Sequence, residues 1–164
     1  MLKVSRVARL LLLLALVVFI AAPVASAAPP PRTFVAVLSA AEEVPHCAQA
    51  TDASRGAAIL HVRDQATGTV DYKLVANNLP GTPSAAHVHI APRGVAGPVA
   101  QPLPLITGEE NGVIGSGTFT NPALVAALQA NPQAYYVNVH SNVCPSGVIR
   151  GQLGDHGPKG TAEP

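Results

Sequence analysis

Three histidines stand at strand-like spacing in this chain, and imidazole both transfers protons near neutral pH and ligates borderline metal ions. In Ala85-Ala86-His87-Val88-His89-Ile90, a two-residue repeat sends Val88 and Ile90 to one face and His87 and His89 to the other. In Tyr135-Tyr136-Val137-Asn138-Val139-His140, Val137 and Val139 take the core face while Asn138 and His140 point away. Val148, Arg150 and Gln152 share the outward face of a last run. If these runs neighbour each other, His87, His89, His140 and Arg150 form a polar patch on the outer surface. Asn138 and Glu43 are its other polar candidates.

Histidines two apart on a strand lie about 6.5–7 Å apart along its axis, within reach of one ion when both rings tilt inward. Three imidazoles suit copper or zinc. His61 or His46, the latter beside Cys47, could add a fourth donor. The alternative is a structural network in which the same rings cap strand ends and bond backbone groups. Other chemistry is poorly supported. Glu42-Glu43 and Glu109-Glu110 are adjacent pairs that diverge on a strand, which does not fit a two-carboxylate glycosidase. Ser141 follows His140 directly and no nucleophile-elbow sequence occurs. Arg93-Gly94-Val95-Ala96-Gly97 reads as a turn, because no helix follows to bind phosphate. No complete catalytic motif is present, so a non-enzymatic role is expected and activity is left open.

The elements that must position these residues are short strands separated by turn signals. Residues 33–40, 57–62, 69–76, 85–90, 99–106, 113–120, 135–140 and 148–153 are β-rich. Pro102 and Pro104 place the 99–106 run at an edge. Asp64 to Gly68 forms a hairpin-like loop, and Asn77 to Ser84 a longer turn. One helix is expected after Asn121 as N-cap and Pro122 in the first turn, with Leu124, Val125 and Leu128 on one face and Asn131-Pro132 as its end. These elements predict an all-β fold, an antiparallel Greek-key β-sandwich of about eight strands with one short helix.

The N-terminus has the three parts of a secretory signal. Lys3, Arg6 and Arg9 form a basic start, Leu10 to Ala22 an apolar run of 13 residues, and Ala25-Ser26-Ala27 a small-residue cleavage site. The run is shorter than the roughly 20 residues of a membrane-spanning helix. Residues 1–27 are therefore expected to be removed, leaving a short linker over 28–32, a folded domain over 33–153 and a disordered tail over 154–164. An uncleaved anchor is the alternative. Without the signal, seven basic residues face nine acidic ones, a net charge of −2. That excludes the electrostatic footprint of a nucleic-acid binder. After cleavage no membrane span is expected either. Cys47 and Cys144 are the two cysteines of the chain, and export favours their pairing over two free thiols. With no tryptophan, three phenylalanines and three tyrosines, the core must come from Val, Leu, Ile and Ala.

Five segments in order resemble the CHRD domain family. They are Phe34-Val35-Ala36-Val37-Leu38 with Glu43-Val44-Pro45, then Ala85 to His89, Gly97-Pro98-Val99, Tyr136-Val137-Asn138-Val139-His140-Ser141, and Gly147-Val148-Ile149-Arg150-Gly151-Gln152-Leu153. His46 stands where that family usually has a second proline, and Val148 where it usually has glutamate before Ile-Arg-Gly. The resemblance implies an exported module that binds an extracellular or cell-envelope ligand, without specifying an activity. His87, His89 and His140 are also similar in arrangement to the copper ligands of Cu,Zn superoxide dismutases. The bridging histidine and zinc loop of those enzymes have no counterpart here, so dismutase activity is not expected.

Overall fold

The computed structural model describes residues 30–154. The expected signal, its cleavage site and the tail beyond residue 154 lie outside the described residues. Eight strands and one α-helix are present among the described residues: β1 (Thr33–Ser39), β2 (Arg55–Asp64), β3 (Thr69–Asn77), β4 (Pro83–Ile90), β5 (Val99–Pro102), β6 (Gly112–Thr120), α1 (Pro122–Ala130), β7 (Tyr135–Ser141) and β8 (Ile149–Gln152). No described helix is long and apolar enough to cross a membrane.

Alternation explains the strands. Phe34, Ala36 and Leu38 of β1, Ala58, Leu60 and Val62 of β2, and Val70, Tyr72, Leu74 and Ala76 of β3 are buried in one core with Ala86, Val88, Val137 and Val139. The helix begins as its sequence implies: the Asn121 side chain accepts from the Leu124 N–H at 3.0 Å. Leu124, Val125 and Leu128 then join the same core.

All strand pairs are antiparallel, in the order β5-β4-β7-β8-β1-β2-β3-β6. This is one curled sheet with a continuous ladder, where the sequence predicted the two separate sheets of a sandwich. The terminal strands β5 and β6 are joined through residues 103–111. Within that connection the Leu103 N–H bonds the Ala86 carbonyl, the Pro104 carbonyl accepts from the Tyr72 hydroxyl, and the Ile106 N–H bonds the Ile114 carbonyl. The segment thus bridges the two ends of the sheet. It also explains why β5 stops at Pro102 and does not continue to Ile106: beyond Pro102 the backbone turns to satisfy partners on both ends. Ile90, expected on the core face, is 43% exposed at the end of β4.

A disulfide joins Cys47, after β1, to Cys144, in the β7–β8 connection, with Cα atoms 5.9 Å apart. Both cysteines are buried.

Candidate functional site

Register brings the histidines together. Across β4 and β7, Ala85 faces His140, His87 faces Asn138 and His89 faces Tyr136. Across β7 and β8, Asn138 faces Arg150 and Tyr136 faces Gln152. Directly opposed residues share a face of the sheet, so these side chains form one polar layer opposite the hydrophobic core. Tyr136 and Gln152 complete it. The parity of Tyr136 with Asn138 and His140 was the signal for Tyr136 in the sequence, and it goes unread there because tyrosine also suits a core.

The layer is covered, which corrects the expectation of an outward-facing patch. Arg150, Asn138, Gln152, Glu43 and His89 are buried, and His87 and His140 are half-buried. The cover is the β4–β5 loop, anchored by its backbone. Arg150 Nη2 donates to the Pro92 carbonyl at 2.9 Å, and Gln152 Nε2 donates to the Ala91 carbonyl at 2.7 Å. His89 Nδ1 donates to the Gly97 carbonyl at 2.8 Å, and the Gly97 N–H donates to the Tyr136 hydroxyl at 3.1 Å. Val148, expected on the outward face, is fully buried just before β8.

One ring nitrogen from each of His87, His89 and His140 lies within 4.8 Å of the other two. His140 Nδ1 donates to the Pro145 carbonyl at 3.0 Å, which leaves its Nε2 as an acceptor. His87 Nδ1 then donates to that Nε2 at 3.1 Å. His89 Nδ1 is committed to Gly97, and its buried Nε2 has no hydrogen-bond partner. Two of the three rings therefore carry their proton on the nitrogen tied to a backbone carbonyl and keep a lone pair on Nε2. Metal-ligating histidines are oriented in the same way. Burial holds the pKa values of His87 and His140 below the ordinary histidine value, assisted at His87 by the neighbouring rings of His140 and His89. Both rings are thereby kept neutral, the form that binds metal.

Three imidazoles are a donor set of the kind that copper or zinc takes. A tetrahedral ion with bonds of about 2.0–2.1 Å holds its donors roughly 3.3–3.4 Å apart. The His87–His140 separation of 3.1 Å is close to this, although that contact is a hydrogen bond whose proton an ion would displace. Neither suggested fourth donor joins them. His61 is exposed on β2, bonded to the Thr33 hydroxyl at 2.9 Å, with β8 and β1 between it and β7. His46 donates to the Ala40 carbonyl at 3.0 Å and stays outside the cluster. A cleft of about 500 Å³ between the start of β4 and residues 102–109 reaches His87.

Buried Glu43 lies beside Arg150. The guanidinium sits 3.4 Å from the centre of the Tyr136 ring. Burial pushes the Glu43 carboxyl up to about 7, against the opposing pull of the Val44 N–H, Arg150 and Asn138. A carboxylate beside Arg150 is thus supplied by Glu43, although the residue before Ile149 is valine. Gly147 makes room for it, since a Cβ there would stand 2.4 Å from the Glu43 carboxyl carbon.

The other sequence candidates have structural partners. Glu42 pairs with Arg93, and Glu110 accepts from the Thr82 hydroxyl at 2.7 Å. The buried Ser141 hydroxyl donates to the Pro80 carbonyl at 2.6 Å and accepts from the Cys144 N–H at 3.0 Å, which ties it to the turn.

The CHRD domain family model matches residues 34–153, spanning both the polar layer and the core beneath it. The chain belongs to the CHRD family. No curated protein and no solved structure gave a significant match to it.

Proposed function

We propose that this CHRD-family domain is an exported, non-enzymatic binding module whose ligand is a single copper or zinc ion held by His87, His89 and His140. The observation that carries this reading is the convergence of one ring nitrogen from each histidine within 4.8 Å, in a layer where the buried Nε2 of His89 has no hydrogen-bond partner. A bound ion would supply Lewis acidity and, with copper, one-electron chemistry. This chain's residues bind it, orient two of the rings through carbonyls and screen it beneath the β4–β5 loop. The hydrogen bond from His87 to His140 favours a second reading, a purely structural network.

Purified protein should bind one equivalent of Cu(II) or Zn(II). Saturation at a hundredfold excess over Kd should stabilise the fold by about 2.7 kcal/mol, seen as a higher Tm. His89→Ala should abolish the rise and His61→Ala should keep it. Equal metal-induced shifts in wild type and His89→Ala would leave only the structural network. Export is supported by the buried disulfide and the family. It predicts that secreted protein begins at or near Ala28, by mass spectrometry, and recovery of intact Met1 protein in membranes would overturn it.

A further inference from the structure

We propose that Gly97 and Tyr136 are positioning residues for the metal site, a closed clamp that fixes the tautomer and aim of His89. The inference rests on the metal reading above. Its parts form a ring of three contacts. The His89 Nδ1–H is held by the Gly97 carbonyl at 2.8 Å, and the Gly97 N–H by the Tyr136 hydroxyl at 3.1 Å. The Tyr136 ring then returns to His89, stacked on its imidazole at 4.8 Å between centres and 8° between planes.

Each contact removes one freedom of the imidazole. The carbonyl keeps the proton on Nδ1 and the lone pair on Nε2. Stacking sets the plane of the ring, and with it the direction of the Nε2 lone pair. Tyr136 is itself braced: besides His89, the Arg150 guanidinium packs over its ring, 3.4 Å from the centroid. Gly97 is demanded by space, because a Cβ would stand 2.1 Å from the Ile90 carbonyl oxygen and 2.7 Å from the Ala91 Cβ. Only a residue without a side chain brings both its N–H and its carbonyl to these partners. Second-sphere groups of this kind change metal affinity by about 10–100-fold.

Tyr136→Phe tests the clamp, since it keeps the stacked ring and removes the acceptor for Gly97. The mutant should bind Cu(II) at least about tenfold more weakly than wild type. Its copper electron paramagnetic resonance spectrum should show altered hyperfine splitting, and nitrogen NMR of the metal-free protein should show His89 losing its pure Nδ1–H tautomer. Val62→Ala, a core substitution on β2, should lower stability while leaving affinity, spectrum and tautomer unchanged. This control separates positioning from general destabilisation. Failure of wild-type protein to bind copper would remove the metal reading and the clamp's role with it. Tight wild-type binding with unchanged affinity, spectrum and tautomer in Tyr136→Phe would overturn the clamp alone.

Discussion

A carboxyl group ordinarily stays in water, yet Glu43 is 4% exposed and its pKa is raised from 4.5 to about 7. The folded state therefore holds this proton more tightly than the unfolded chain does. The resulting stability is full below about pH 4.5 and is lost as pH rises through about 7. Glu43→Gln removes the titration. Relative to wild type, the variant should gain about 1–3 kcal/mol on going from pH 5 to pH 8, read from urea unfolding at the two values. A difference that stays the same at both pH values would show that the carboxyl titrates normally. His87 and His140 act in the opposite sense, since their depressed values make the fold lose stability on acidification below about pH 6.5. Comparing variant with wild type at each pH cancels them. The three histidines were legible in the sequence because parity alone assigns them a face. The burial of Glu43 beside Arg150 was not, because those residues meet only through the packing of a loop.

Element boundaries followed local chemistry wherever the local signal was unopposed. Helix α1 begins where Asn121 and Pro122 place it and ends at Ala130, before Asn131-Pro132. Asn121 caps Leu124 and also donates from Nδ2 to Gln101 at 3.1 Å, linking the helix start to β5. Asn121→Ala should therefore cost about 1 kcal/mol or slightly more in thermal unfolding. An unchanged Tm would deny the cap any energetic role. The strand expected over 99–106 is shorter: Leu103, 2% exposed, keeps one more bond in register to Ala86 of β4, and by Ile106 the backbone has passed to Ile114 of β6. No pattern within those residues announces the passage to β6.

Across the whole molecule, the Cys47–Cys144 bond spans 97 residues of sequence and ties the segment carrying Glu43 to the β7–β8 connection, which supplies the carbonyl for His140. It thus braces two sides of the polar layer. Replacing both cysteines with serine should cost about 2–5 kcal/mol, measured by denaturant unfolding. Unchanged stability would show that the sheet and its cover hold without the crosslink. An aliphatic core with few aromatic anchors makes this constraint valuable.

The amino-acid sequence by itself determined the strand and helix content, the face of most strand residues though not of Ile90 and Val148, the identity of the cysteine pair and the membership of the CHRD family. These depend on periodicity, capping and short ordered motifs, which are local properties. Tertiary structure decided the rest. It made one curled sheet where two were expected, because residues 103–106 satisfy backbone partners at both ends of the ladder. It turned an outer face into an interior, because the loop after β4 supplies carbonyls to Arg150, Gln152 and His89. It also separated His61 and His46 from the cluster, since strand order and not sequence spacing sets which histidines meet.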